Sequence, residues 1–291
     1  PMDTQPHTPP MPAAAPEAGP PLQQLPKHGW LERTGRMAVA TVLQGLAFVR
    51  FVGEAALAAV RVLPHPRLWR VRAIWHEIQI GGYEALPIIG LTSFLLGVVV
   101  AYQGADQLQH YGANVFVVDL VGYAMLREFA PLISAIIIAG RSGSAYAAQL
   151  GSMVVAEEID ALRTIGIDPM QRLVLPKIVA LAVALPLLTL FADITGVFGG
   201  MVMASSQLDI GFTEFMDRFG RVMQGSSLLI GLGKSLVFAL IIASVGCFQG
   251  LRTKGGADSV GRQTTLSVVQ SIFLIIVADA LFSVAFNILG L

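Results

Sequence analysis

Residues 85–105 carry no charged side chain, and this run constrains the fold more than any other part of the sequence. At about 1.5 Å per residue, a helix of this length crosses the roughly 30 Å hydrocarbon core of a bilayer. Four more apolar stretches follow, at about 115–155, 174–204, 226–250 and 264–289. A helix satisfies its own backbone polar groups in lipid. The pattern therefore predicts an all-α, polytopic membrane protein with five transmembrane helices.

The composition also indicates a membrane protein. Charged residues make up 13% of the chain, whereas soluble domains carry about 25%. Lys plus Arg equals Asp plus Glu at 19 each, so the charge balance gives no sign of a nucleic-acid partner. The single cysteine, Cys247, excludes an internal disulfide.

Three regions are predicted along the chain. Residues 1–36 begin with nine prolines in the first 26 positions, and we expect a disordered tail there. Residues 37–82 are interpreted as an interfacial amphipathic helix followed by a basic linker. Arg50 and Glu54 contribute to a polar stripe on this otherwise apolar helix. Residues 83–291 form the transmembrane domain.

Basic residues indicate the orientation of the spans. With the N-terminus inside, segments 27–82, 141–177 and 251–263 face the cytoplasm and hold 15 of the 19 Lys and Arg residues. The two outside loops hold only Arg218 and Arg221. We therefore predict a cytoplasmic N-terminus and a C-terminus on the opposite side of the membrane.

The second apolar stretch is too long for a simple span. A continuous helix over 115–155 would exceed the ~30 Å hydrocarbon core. We expect this helix to tilt, to break near Pro131 or to project into the cytoplasm.

Small residues recur along the second and third spans. Gly140 and Ser144 lie four residues apart in the second span, and Gly196 and Gly200 do so in the third. Gly151 follows further along the second helix. Such spacing lets helix backbones approach closely in a membrane. It predicts packing within one subunit or a homodimer seam, and the sequence leaves both open.

No motif for catalysis or metal binding is complete. Residues 231–235 read Gly-Leu-Gly-Lys-Ser, like the end of a phosphate-binding loop, but Leu228 stands where that pattern needs glycine. The five histidines lack the spacing of metal ligands, so no metal site is predicted. We expect a chain that is not an enzyme and that binds no cofactor of its own.

A short acidic helix is predicted after the second span. Glu157, Asp160 and Arg163 fall on nearly one face, while Ile159 and Leu162 form an apolar ridge. The segment is either a solvated connector or a docking helix that transmits the movements of a partner protein. The candidate docking residues are Glu157, Glu158, Asp160, Ala161, Leu162 and Arg163.

Five short motifs occur in order between residues 126 and 177. They are Leu-Arg-Glu-Phe-Ala-Pro at 126–131, Ala-Gly-Arg-Ser-Gly-Ser-Ala at 139–145, Leu-Gly-Ser-Met at 150–153, Glu-Glu-Ile-Asp-Ala-Leu at 157–162 and Asp-Pro at 168–169. This ordered set resembles the MlaE/YrbE family of transporter permeases, and the similarity extends over about residues 37–291.

The resemblance implies the permease subunit of an ABC transporter in the bacterial inner membrane. Such a subunit moves phospholipids between that membrane and a periplasmic MCE-domain protein. It implies a homodimer whose cytoplasmic ATPase subunits bind ATP and Mg and dock at residues 157–163. A STAS-domain protein often accompanies the ATPase. The C-terminus would then be periplasmic.

One position departs from the family pattern. An acidic residue usually precedes the Leu-Gly pair, and Gln149 stands there in this chain. The departure puts in doubt an ion-pair role for the position.

Ionisable residues within the spans are costly and usually face protein or water. Arg127, Asp193 and Lys234 are predicted in the outer half of the membrane, where Asp193 can pair with Lys234 or Arg127. Glu128 lies next to Arg127. Three roles stay open: a structural ion pair, a polar lining that contacts a lipid headgroup, and ion coupling. A guanidinium such as that of Arg127 suits phosphate.

Two other functions compete with an ATP-driven permease. An ion-driven secondary transporter would use Asp193 or Asp279 as its proton site, and its transport would be lost on replacing the aspartate with asparagine. A structural membrane anchor of an envelope complex would tolerate alanine at Glu157, Glu158 and Asp160.

Overall fold

The computed structural model describes residues 30–62, 70–110, 112–223 and 225–289, and every regular element within them is a helix. The α-helices are α1 (Trp30–Val62), α2 (Val71–Gly82), α3 (Leu86–Gln109), α4 (Val117–Ala124), α5 (Ala130–Ile138), α6 (Ser144–Val155), α7 (Glu158–Thr164), α8 (Leu175–Leu208), α9 (Phe212–Val222), α10 (Gly225–Leu251) and α11 (Ala257–Ile288). Within the described residues, six helical segments are long and apolar enough to cross a membrane. The predicted all-α, polytopic fold is confirmed.

The five predicted spans all lie in such segments, which run over Val71–Gln109, Asn114–Val155, Met170–Leu208, Gly225–Leu251 and Ala257–Ile288. The first begins earlier than predicted, because α2 continues through the 3-10 turn Tyr83–Ala85 into α3. The stretch predicted as a basic linker is therefore helical from Val71 onward. Residues 63–69 of it lie outside the described residues.

Helix α1 is the sixth candidate span, by length and composition alone. It begins at Trp30, so residues 30–36 are helical and the predicted tail is wrong there. The rest of that tail lies outside the described residues. The predicted placement of this helix in the membrane interface stays a prediction. The chain divides into the units Pro1–Gly45 and Leu46–Leu291, and all features below belong to the second.

The second long helix contains Pro131 and continues through it with wide π-helical turns on either side. Met125–Phe129 and Ala139–Gly143 are π-helical, and α4, α5 and α6 continue around them as one segment that ends at Val155. In a regular helix the ring of Pro131 would clash with the carbonyl four residues earlier. The π turn directly before Pro131 gives that carbonyl room, so the helix does not break at this point.

Helix α8 lies at the centre of the bundle and packs on α2, α3, α5 and α10. Its contact with α3 is the closest. A Cβ atom added at Gly97 would meet the carbonyl of Gly196, and one added at Gly199 would meet the backbone of Phe94. Glycine is required at these positions because the two backbones touch.

The small residues singled out from the sequence divide into two groups. Three pack against a side chain of another segment: Gly151 on Thr253, which follows the end of α10, Gly196 on Met125 and Gly200 on Val121. Ser144 donates a hydrogen bond to the Gly140 carbonyl of its own helix (2.5 Å). Gly140 itself is exposed, with open space among the described residues where a Cβ would stand. The homodimer seam stays open as a role for Gly140.

Candidate functional site

The acidic helix predicted after the second span is α7, and most of its candidate docking residues face outward. The exposed ones are Glu157, Glu158, Asp160, Ala161 and Arg163, while Leu162 is half-buried. Ile159 is 3% exposed and anchors the helix to the bundle. The predicted amphipathic arrangement is confirmed, and the docking role of these residues stays a prediction.

The backbone turns sharply at both ends of α7. Glu157 has a φ of 58°, and Gly166, just after the helix, has a φ of 78°. Positive φ is easy for glycine but uncommon for glutamate, so Glu157 is a strained position. Asp168 then accepts a hydrogen bond from the Met170 N–H (2.9 Å) and starts the helical segment that leads into α8. The two turns present α7 as a separate ridge between α6 and α8.

A buried lysine, Lys177, joins the helices on either side of α7 to each other and to α2. Lys177 Nζ donates to Glu77 Oε1 (2.5 Å) and to Gln149 Oε1 (2.6 Å), and it lies 4.4 Å from the centre of the Tyr146 ring. One ammonium thus joins α2, α6 and α8. The side chain is 3% exposed, and removing one partner of a buried pair costs about 3–5 kcal/mol. The contact therefore fixes the three helices at the base of α7.

These contacts account for Gln149, the position where the family pattern has an acid. The Gln149 amide oxygen still binds Lys177, and Glu77 on α2 supplies the negative charge. Position 149 therefore takes part through a hydrogen bond, and the carboxylate that pairs with Lys177 lies on α2.

A second buried lysine joins the π turn Met125–Phe129 to α10 and α11. Lys234 is 1% exposed, and its Nζ donates to Glu128 Oε2 (2.8 Å), Asp279 Oδ1 (3.1 Å) and Ser283 Oγ (3.3 Å). Ser283 in turn donates to Glu128 (3.2 Å). We call Lys234, Glu128, Asp279 and Ser283 the Lys234 cluster.

The predicted pairing of Asp193 is wrong. Lys234 is held by the carboxylates of Glu128 and Asp279. Asp193 is 4% exposed on α8, and neither of its oxygens has a hydrogen-bond partner within the part of the chain that the structure describes. Asp193 therefore forms no hydrogen bond with Arg127 either.

The Lys234 cluster borders a cavity of about 510 Å³, lined by Leu120, Tyr123, Ala124, Arg127, Glu128, Ser283 and Asn287. A larger open groove of about 880 Å³ lies between α3 and α4 and shares Leu120, Tyr123 and Ala124 with it. Arg127 and Glu128 line the smaller cavity, and the larger groove has mainly apolar and aromatic walls with Asp106 and Asp119 among them. Such a site suits an amphiphile, with its polar end at Arg127 and Glu128.

Helix α9 is held by an ion pair to α4, which lines this groove. Arg218 donates two hydrogen bonds to the Asp119 carboxylate (2.7 and 2.6 Å), and its guanidinium lies 4.8 Å from the centre of the Phe116 ring. The hydrogen bonding raises the pKa of Arg218 above its ordinary value. Phe215 is a residue of α9, and its side chain is fully buried against the bundle. Asp119 and Phe116 both line the larger groove, so α9 fixes one of its walls.

The model of the MlaE permease family matches residues 74–285, which include α7 and the Lys234 cluster. The chain belongs to the MlaE permease family. This membership confirms the resemblance found in the sequence and makes the chain a multi-pass membrane transport subunit.

Two of the similar curated proteins are named as probable ABC transporter permeases. The chain is 38% identical over 207 residues to a probable ABC transporter permease protein of Synechocystis sp., covering 71% of this chain and 79% of the relative. It is 32% identical over 244 residues to one of Rickettsia felis, covering 83% and 94%. It is also 33% identical over 242 residues to the chloroplastic protein TRIGALACTOSYLDIACYLGLYCEROL 1 of Arabidopsis thaliana, covering 83% of this chain and 68% of that protein.

Among the hydrogen bonds of Lys177 and Lys234, three residues fall outside the set selected from the sequence: Glu77, Lys177 and Ser283. Lys177 had a local signal, because it is an isolated charge directly after Pro176 at the start of an apolar stretch. Glu77 lies 100 residues away from it, and no local pattern connects the two. Ser283 is a small hydroxyl residue within a span, where serine commonly packs without a special role.

Proposed function

We propose that this MlaE-family permease moves phospholipids between the bacterial inner membrane and a periplasmic MCE-domain protein. ATP hydrolysis in separate ATPase subunits drives the movement. The observation that carries the proposal is α7, an exposed acidic ridge anchored by the buried Ile159 and tied at its base by Lys177. A partner that grips such a ridge can move α6 and α8 together.

The ATPase subunits bind ATP and Mg, and the permease binds neither. They dock on the face formed by Glu157, Glu158 and Asp160. The names of the Synechocystis and Rickettsia relatives support an ATP-binding-cassette partner. A STAS-domain protein is a further expected member of the assembly, bound to the ATPase.

The lipid enters the two adjoining cavities in the outer half of the molecule. Arg127 binds the headgroup phosphate, and Glu128 is kept in place by Lys234. The acyl chains lie along the apolar and aromatic walls of the larger groove, beside Leu120 and Tyr123. The Arabidopsis relative, which is named after a glycerolipid, supports a lipid cargo.

Two copies of the chain enclose the complete lipid path. The apolar faces of α3 and α11 support this homodimer, since Leu91, Leu95, Phe273 and Leu281 are each more than half exposed in the single chain. Such faces are covered by lipid or by a second copy. The N-terminus is cytoplasmic and the C-terminus periplasmic, which places most Lys and Arg residues on the cytoplasmic side.

One observation favours ion coupling as a second candidate function. Asp193 is buried within the bundle without a hydrogen-bond partner among the described residues, and ionisable groups inside membranes often belong to proton pathways. Asp279, the other residue expected for this role, is bound to Lys234.

The experiment that tests the proposal is purification of the tagged chain from native membranes, followed by reconstitution. We expect an ATPase and an MCE-domain protein to copurify, and lipid transfer to the MCE-domain protein to require ATP. The chain alone is expected to show no ATPase activity. Transfer driven by a pH gradient in the absence of ATP would instead support ion coupling.

A further inference from the structure

An apolar groove lies on the outside of the bundle, on the side of the membrane that carries α7. It runs between α2 and α8, has a volume of about 510 Å³, and is walled by Ile78, Leu86, Leu187 and Leu188. Gly82 is buried at its floor, where an added Cβ would lie 3.8 Å from the Ala184 Cβ. Small residues at the crossing of the two helices thus leave space for a ligand. We call this the α2–α8 groove.

A basic cavity lies at the start of α2, one helical turn before the groove. Arg70, Arg72 and His76 line it. Arg72 and the groove residues Trp75 and Gln79 are spaced so that they share one face of α2. Arg70 donates a hydrogen bond to the Arg172 carbonyl (3.1 Å), which fixes this end of α2 against the base of α8. The positive charges of Arg70 and Arg72 therefore lie at one end of the apolar α2–α8 groove.

The dimensions match one leaflet of a bilayer. From Arg72 to Leu86 the helical path covers roughly 20 Å, about half of a membrane with its headgroup regions. Trp75 is 68% exposed near the basic end, and tryptophan is enriched at the membrane interface. The groove below it lies within a segment that is apolar enough to span the membrane.

We propose that the α2–α8 groove binds one anionic phospholipid of the leaflet on the α7 side. Its phosphate lies on Arg72 and His76, and an acyl chain follows the groove past Gly82. Basic pockets between spans select anionic headgroups, and guanidinium groups bind phosphate with paired hydrogen bonds. The site is distinct from the outer cavities of the proposed transport path, and its occupation requires neither ATP nor a partner protein.

Trp75 reports on this site directly. Replacing the other two tryptophans, Trp30→Phe and Trp69→Phe, leaves Trp75 as the only one in the full chain. This protein is reconstituted into nanodiscs with a small fraction of brominated phosphatidylglycerol or brominated phosphatidylcholine, and quenching of tryptophan fluorescence is recorded. We expect half-maximal quenching at a roughly fivefold lower fraction of the anionic lipid for each basic residue that contacts it. Unbrominated phosphatidylglycerol should reverse the quenching.

Two variants distinguish specific binding in the α2–α8 groove from contact with ordinary bilayer lipid. Arg72→Gln should remove most of the preference for the anionic lipid, whereas Arg262→Gln, at an exposed position near the start of α11, should leave it unchanged. Equal quenching by both brominated lipids would mean that ordinary bilayer lipid fills the groove, and would overturn the proposal. Absence of quenching by either lipid would mean that a protein surface covers the groove, and would also overturn it. Neither outcome depends on lipid transport.

Discussion

Two buried lysines fix the helices of this permease at different depths. Lys177 joins α2, α6 and α8 next to the docking ridge, and Lys234 joins the π turn to α10 and α11. Each is bound by side chains from elements far apart in the sequence. A buried ammonium is costly without such partners, so each lysine makes its helices depend on one another.

Exchanging the two residues that bind Lys177 tests whether the position of the carboxylate matters. Glu77→Gln leaves the ammonium with two amide oxygens, and we expect a loss of about 3 kcal/mol in stability. The double variant Glu77→Gln/Gln149→Glu should recover most of it, because it returns one carboxylate to the same nitrogen. The measurement is the apparent unfolding midpoint of the purified protein in detergent. Failure of the second substitution to rescue the first would show that α2 needs its own acid.

Asp193 gives a test at the same scale that separates the two candidate functions. Since neither carboxylate oxygen is hydrogen-bonded within the described part of the chain, Asp193→Asn removes no observed contact. We expect no loss of stability, because the asparagine amide carries no charge for burial to penalise, and ATP-driven lipid transfer at the parent rate. Loss of transfer in a folded Asp193→Asn protein would favour the ion-coupled alternative.

Residue partners were harder to predict than residue types. The sequence indicated that Lys234 and Asp193 lie inside the membrane, but it allowed only Lys234 or Arg127 as the partner of Asp193. The structure pairs Lys234 with Glu128 and Asp279, and the turn Met125–Phe129 is π-helical. A π turn adds a residue to the helical repeat and so changes the direction in which following side chains point. Pro131 indicates that the helix is irregular at this point, but the sequence does not distinguish a break from a π turn.

At the scale of elements, the contact between α3 and α8 depends on glycine. Replacing a glycine inside this contact can be compared with replacing one outside it. Gly97→Val would force a side chain into the Gly196 carbonyl, and we expect little folded protein in the membrane. Gly140→Val places the same side chain in open space, so the chain should fold. Size-exclusion chromatography in detergent measures the yield of each. Equal yields would contradict the close contact of α3 and α8.

Helix α9 allows a matched comparison of two arginines. Arg218 binds Asp119 on α4, whereas the Arg221 Nε donates to the Asp217 carbonyl of the same helix. Arg218→Met should release α9, with amide exchange in Phe212–Val222 roughly tenfold faster, as expected for losing hydrogen bonds to a charged group. Arg221→Met should change exchange little. Equal effects of the two variants would mean that the ion pair does not hold the helix.

For the whole molecule, the five spans predicted from the sequence all lie in candidate membrane segments, because hydropathy is a local property that can be read in each window, while α1 adds a sixth candidate among the described residues. The sequence also predicted the amphipathic helix after the second span, whose pattern lies within residues 157–163. The continuation of α2 into α3 was missed, since Tyr83 and Glu84 interrupt the apolar run. The α2–α8 groove was missed because it depends on how two distant helices cross at Gly82 and Ala184.

For the whole molecule, we propose that α7 transmits force from an ATPase to the lipid path. Ile159 holds this ridge to the bundle, while Glu157, Glu158 and Asp160 remain available to a partner. We propose that the ATPase moves the ridge and that the buried contacts of Lys177 with Glu77 and Gln149 carry this movement into α2, α6 and α8.

Charge reversal on α7 in the reconstituted complex is the most direct test. The variant carries Glu157→Lys, Glu158→Lys and Asp160→Lys, and its control carries Asp258→Lys at an exposed position in the first turn of α11. ATP-dependent lipid transfer and copurification of the ATPase are both measured. We expect the α7 variant to fold but to lose both, while the control keeps them. An α7 variant that assembles with the ATPase and transfers lipid at the parent rate would contradict the account.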